Sequence, residues 1–264
     1  MQQFFLQLLQ AVGIQLLGLF GIFFVFAFLL SKLQRWTQNN YSRSVGWKGI
    51  LWTAWFGTPF HEYGHAVFAK IFRHKIQEIA LFQPNAETGD LGYVNHSWNQ
   101  KSYYQSVGNF FIGMAPMIFG SLVLVGMLYV LVPNGKEVIS SLNSTQTILE
   151  FFTGIKSALL NLFAIDNLKN IWFWLFLYVS FCIASHIAPS KPDRKGMWQG
   201  FILIVISLIF INILTLLLKL DITKYVLSLA GIFSVFIGIF TYATIISFIH
   251  FLFTYLILYP LRKY

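Results

Sequence analysis

The stretch Thr58-Pro59-Phe60-His61-Glu62-Tyr63-Gly64-His65 lies within a long apolar run, and the rest of the chain is organised around it. Two histidines four apart on a helix share one face, because four residues make slightly more than one turn. Glu62 stands one position from His61 and three from His65, so its carboxylate leans to the same side. Two imidazoles with a carboxylate beside them are what a zinc hydrolase needs: two ligands, and a base for water. Chance places such a pattern in a chain this poor in His and Glu on the order of a few times per thousand sequences. Burial sharpens the reading. A charged side chain at mid-membrane costs roughly 2.5–3.5 kcal/mol, so an acidic residue there, flanked by histidines, points to function. The plain alternative is a polar helix-packing cluster or the remnant of a lost active site.

Only 10% of the 264 residues are charged and 57% are hydrophobic, whereas a soluble domain carries roughly a quarter charged residues. With a mean hydropathy of +0.67, this is the composition of an all-α polytopic membrane protein, a single integral-membrane domain over 1–264 embedded in a lipid bilayer. The net charge of +9 sits in short loops and ends beside apolar runs. It reads as membrane-flanking anchorage, and no basic-aromatic pattern suggests nucleic acid. Cys182 is the only cysteine, which excludes disulfides within the chain and thiolate metal clusters. The first apolar run is too long for a cleaved signal peptide and reads as a retained span. Nothing in the sequence bears on oligomeric state.

Taken in order, the chain predicts about six transmembrane helices. The first covers 4–30, with Gln7, Gln10 and Gln15 turned toward other helices, and a basic loop follows over 31–48. The second covers 49–72 and is expected to break at Gly57-Thr58-Pro59, where Thr58 caps a fresh helix and Pro59 takes its first position. Such a break would admit water to the histidines. Residues 73–103 change character: two short strands, 75–82 and 91–96, flank a turn-rich segment and predict a small membrane-associated β-hairpin after the second helix. Its edge suits pairing with an extended substrate segment, and a plain connecting hairpin fits equally well. Spans follow at 106–132 and 170–187, with an amphipathic helix lying on the membrane surface over 146–163. Additional spans occupy the C-terminal region 198–264, at 198–219 and 225–259.

A catalytic zinc has three protein ligands and one open position. Counting crossings returns the chain to the histidines' side at 188–197, which favours Asp193 as third ligand, beside a helix end bearing His186. Glu87, Asp90 and His96 lie on the same side as alternatives. Asp193 also reads as an ordinary loop aspartate paired with Arg194 or Lys191. His186 either sits in the site, hydrogen-bonding substrate or water, or caps the end of its span.

These residues resemble the site-2 protease family of intramembrane zinc metalloproteases over roughly 50–197, the metalloprotease core. His61-Glu62-Tyr63-Gly64-His65 is similar to that family's first motif. Lys75 to Phe82 with Gly89-Asp90-Leu91-Gly92-Tyr93-Val94 resembles its membrane-associated β-loop, and Gly113-Met114-Ala115-Pro116 its Ala-Gly-Pro segment. The family's distal motif is Asn-x-x-Pro followed by Leu-Asp-Gly. Here His186 stands in the Asn place, Pro189 matches the proline, Pro192 and Arg194 replace Leu and Gly, and Asp193 takes the metal-ligand place. The resemblance implies one Zn2+ per chain held by His61, His65 and Asp193, with Glu62 and His186 catalytic. It also implies hydrolysis of a transmembrane protein or peptide substrate by a multi-pass protein of the prokaryotic inner membrane. The Lys and Arg residues divide evenly between the two sides, so charge leaves orientation open; the family would place the site toward the cytoplasm. The rival functions are a membrane metal transporter or sensor, and an inactive scaffold that binds transmembrane segments.

Overall fold

Helix α1, Gln2–Ser44, is far longer than one span. At 1.5 Å per residue it reaches about 65 Å, twice the roughly 30 Å hydrocarbon thickness of a bilayer. The stretch expected as a basic loop therefore continues the helix. The cause is a buried stripe at helical spacing, Leu30, Leu33, Thr37, Asn40, Tyr41 and Ser44, while Arg35 and Arg43 face outward. That stripe packs on α9, Thr223–Leu258, where Asn40 Nδ2 donates to Thr254 Oγ1 at 3.1 Å and Ser44 Oγ to the Leu258 carbonyl at 3.1 Å. Of the three glutamines expected to face other helices, only Gln15 does; Gln7 and Gln10 are exposed. The computed structural model describes residues 2–143 and 147–261. Gln146, the start of the expected amphipathic helix, and Arg262 and Lys263 of the charge balance lie outside the described residues.

Helix α2, Trp47–Ile71, runs unbroken through Pro59, so the expected break and fresh N-terminus do not form. A proline in a helix interior removes one hydrogen bond, but packing from neighbouring helices lets membrane helices carry it. Here that packing is close. A Cβ on Gly57 would overlap the Cys182 carbonyl and the His186 ring, so α2 lies against the end of α7, Ile171–Ala184. Thr58 is buried inside the helix and does not act as a cap.

Strands β1, Lys75–Ala80, and β2, Tyr93–Ser97, pair antiparallel with a bulge between Ile76 and Glu78. The expected ribbon is present, and backbone bonds from Gln83 to Leu91 (2.7 Å) and Asn85 to Asp90 (2.8 Å) extend it into its turn. Helix α3, Tyr103–Leu131, follows and occupies the centre of the molecule. Its Phe110, Met114, Met117 and Leu124 are fully enclosed, with α2, α7, α9 and α8 (Lys191–Leu217) around it. Short helices α4 (Gly135–Asn143), α5 (Ile148–Leu162) and α6 (Ile165–Lys169) connect α3 to α7.

Among the described residues, five segments are long and apolar enough to cross a membrane: Gln2–Ser44, Tyr103–Leu131, Ile148–Lys169, Lys191–Leu217 and Val235–Leu261. This is the profile of a multi-pass membrane protein, with one two-stranded sheet among the described residues. The set differs from the six spans expected. Ile148–Lys169, which takes in most of the 146–163 helix expected on the surface, has the length and hydropathy to cross, whereas α7 is short and α2, a continuous helix carrying His61, Glu62 and His65, is not among the five.

Candidate metal centre

Two helices converge on one point. His61 and His65 come from the middle of α2, and Asp193 from the first turn of α8. The two Nε2 atoms are 3.2 Å apart; Asp193 Oδ2 lies 3.4 Å from that of His61 and Oδ1 lies 3.2 Å from that of His65. One ligand atom from each residue falls within 4.8 Å of the others, and this is the one such His, Cys, Asp or Glu group that could hold a metal among the described residues.

The opposite edges of both rings fix which nitrogen faces inward. His61 Nδ1 bonds the His186 carbonyl, and His65 Nδ1 bonds the Ile112 carbonyl at 2.9 Å. A carbonyl oxygen only accepts, so both Nδ1 atoms carry the hydrogen, and both Nε2 atoms, the ones a metal would use, face the centre. Outer bonds of this kind hold metal-ligating imidazoles in the correct tautomer and orientation. Two inward Nε2 atoms and a carboxylate within 3.2–3.4 Å of one another are a mixed nitrogen and oxygen donor set. The donor set therefore fits a small divalent cation.

Asp193 is held as firmly as the histidines. It is the third residue of α8 in a capping box: its N–H donates to Ser190 Oγ at 3.3 Å, and the Ser190 N–H donates to Asp193 Oδ2 at 2.6 Å. Gly113 on α3 lets this turn in, since a Cβ there would meet the Asp193 carbonyl and Met197. The alternative pairing of Asp193 with Arg194 or Lys191 is not what forms: Arg194 donates instead to the Pro189 carbonyl at 2.9 Å. The signal for the cap is Ser190-x-x-Asp193 itself, a spacing readable from sequence.

Glu62 is 7% exposed and lines the same cleft, a space of about 890 Å³, with Gly92 of the ribbon against its side chain. His186 also borders the cleft, but its ring is committed to Thr53 Oγ1 at 3.2 Å and packs on Gly57; its carbonyl is what touches the centre. Of the other candidates for third ligand, Glu87 is exposed and Asp90 lies on the open rim. His96 is tied into a separate pair. His74 Nε2 donates to the Gln105 carbonyl at 2.8 Å, leaving its Nδ1 to accept from His96 Nδ1 at 3.0 Å, with Trp98 stacked on His74. Burial pushes His74 below the ordinary histidine range, and burial with the nearby His74 and His65 takes His96 down to about 4.

No protein-family model, curated protein or solved structure matches the chain, and its own geometry carries the functional reading.

Proposed function

We propose that this protein is an intramembrane zinc metalloprotease that hydrolyses peptide bonds in or near transmembrane segments. The observation that carries the reading is the convergence of two Nε2 atoms and one carboxylate, with Glu62 on the same helix face and a cleft in front. Ligand bonds of about 2.0–2.1 Å in a tetrahedron put neighbouring donors roughly 3.3–3.4 Å apart; the two Nε2 atoms are 3.2 Å apart, and the Asp193 carboxylate brings one oxygen to each histidine, Oδ2 at 3.4 Å from His61 and Oδ1 at 3.2 Å from His65. Imidazole and carboxylate without thiolate suit zinc in a catalytic role, with one position left open. The resemblance of the two motifs to the site-2 protease family supports the same assignment and the prokaryotic inner membrane as the location.

When bound, zinc polarises the scissile carbonyl and lowers the pKa of water toward about 7. His61, His65 and Asp193 would hold it, with the His186 and Ile112 carbonyls keeping the rings aimed. Glu62 takes the proton of the attacking water on its carboxylate and delivers it to the departing amine nitrogen. A helix cannot present its carbonyls, because each is already hydrogen-bonded within it. The substrate therefore enters locally unwound, with β2 and Gly92 along one wall of the cleft.

The test uses purified wild type, Glu62→Gln, His65→Ala and Asp193→Ala, measured for zinc content and for cleavage of a transmembrane peptide. Wild type should carry about one zinc and cleave. Glu62→Gln should keep zinc and lose cleavage, and His65→Ala and Asp193→Ala should lose affinity for zinc. Wild-type protein that stays zinc-free in metal-replete medium would overturn the reading. Zinc retention with no cleavage by wild type would point to a scaffold.

A further inference from the structure

A second cavity of about 580 Å³ lies beside the metal cleft, walled by Trp52 and Trp55 of α2, Tyr178 and Phe181 of α7, and Phe253 of α9. Most of its polar side-chain atoms are already bonded. Trp55 Nε1 donates to Tyr178 Oη at 3.0 Å, and Tyr178 Oη donates to the Trp52 carbonyl at 3.0 Å. Tyr41 Oη is 2.9 Å from His250 Nε2, while His250 Nδ1 is 3.2 Å from Ser185 Oγ. Apart from the Trp52 indole N–H, the wall presents ring faces and edges whose side-chain polar groups already have partners. An occupant that brought its own donors would leave them unpaired, at a cost of roughly 1–3 kcal/mol each. The cavity thus selects hydrocarbon.

Its position relates it to the cleft. The ribbon borders both spaces: Phe82 and Pro84 face the cavity, while Gly92 to His96 face the cleft. The two also meet at a common wall, where Thr53 of the cavity is hydrogen-bonded to His186 of the cleft. Along α2, Trp55 and Trp52 stand seven and ten positions before Glu62, a rise of about 10–15 Å. An extended peptide covers that distance in about three to five residues.

We propose that this cavity is a specificity subsite that takes one bulky apolar side chain of the substrate segment, three to five residues from the scissile bond. The proposal rests on the protease reading. The occupant is a peptide side chain, since the ribbon that lines the cleft continues into the cavity wall, and a ligand held along the first meets the second.

The experiment uses Glu62→Gln protein and a synthetic transmembrane peptide of about 24 residues with a central helix break, carrying a photoreactive benzoyl-phenylalanine at each position in turn. Labelling should map to Trp55 or Phe253 from one narrow window of positions. Leu51→Trp, which fills the cavity, should lower that yield at least about tenfold, and Leu217→Trp, the same change on the exposed end of α8 outside both spaces, should keep it. Thermal midpoints in detergent check that both variants are folded. With cleaving wild type, asparagine at the mapped position should raise KM about tenfold and change kcat little. Uniform labelling along the peptide, labelling indifferent to Leu51→Trp, or a phospholipid held tightly in the cavity would overturn the subsite. If the wild type cleaves but shows no preference at that position, the subsite fails and the protease stands. Position-specific labelling by a protein whose wild type never cleaves would instead keep the apolar pocket and overturn the protease.

Discussion

The backbone carbonyl of His186 accepts the Nδ1 hydrogen of His61, so a residue 125 positions away sets the direction of a candidate metal ligand. That carbonyl is in place because the end of α7 lies directly on Gly57, one turn before the histidine. Gly57→Ala should push Cys182 and His186 away from α2 and free the His61 ring. Loss of an outer bond to a metal-ligating histidine costs about 10- to 100-fold in affinity. Zinc competition against a chelator should show that fall, with helical circular dichroism unchanged.

The carboxylate has its own support, and removing it should act more gently than removing the ligand. Ser190→Ala deletes a cap worth about 1 kcal/mol: it removes the acceptor of the Asp193 N–H and loosens the turn that carries the carboxylate, while the Ser190 N–H bond to Asp193 Oδ2 stays. Asp193→Asn deletes a charge from the centre itself. Zinc affinity should fall in the order wild type, Ser190→Ala, Asp193→Asn, measured by the same competition. Equal affinities for Ser190→Ala and wild type would show that the cap does not position the ligand.

Far from the centre, Gln15 of α1 and Asn212 of α8 exchange two amide hydrogen bonds, at 3.0 and 2.7 Å, while fully enclosed. Gln15→Leu leaves the Asn212 amide without that partner among apolar neighbours. Interhelical bonds in membrane proteins are worth about 0.6 kcal/mol on average and up to about 1.7, so the thermal midpoint in detergent should drop by a few degrees. The double variant Gln15→Leu/Asn212→Leu should recover part of the loss, because no unpaired amide remains.

The His74–His96 pair predicts a pH response. Both histidines lie below the ordinary value of 6.5 in the folded protein, His96 near 4. As pH falls through 6.5 the unfolded chain binds protons that the folded chain refuses, so stability is full above that pH and declines toward 4. Thermal midpoints measured from about pH 7.5 down to 5 should fall, and His96→Gln should flatten the slope. A midpoint independent of pH, or one that rises on acidification, would contradict this account.

What the sequence disclosed and what it hid follow from the range of the interactions. His61, Glu62 and His65 were readable because helix geometry alone puts them on one face. Asp193 was reachable by counting crossings, and Ser190-x-x-Asp193 carried a further signal that the crossing count did not use. The Ile112 and His186 carbonyls left no signal, since a backbone acceptor has the same chemistry at every residue. Pro59 misled for a related reason: local rules end a helix there, and the packing that overrules them comes from α7. The 31–44 segment reads as a basic loop until α9 is known to cover its Leu33, Asn40 and Tyr41.

The capping box that closes the first turn of α8 gives that helix boundary a second task. Asp193 Oδ2 takes the Ser190 N–H and at the same time faces His61. Starting the helix one residue earlier or later would turn the carboxylate by about 100° away from the histidines. The centre's tolerance to insertions and deletions is thus set at Pro189-Ser190-Lys191-Pro192, where two prolines and a serine pin the starting point. A shift in chain length there would undo the site without touching any of its ligands.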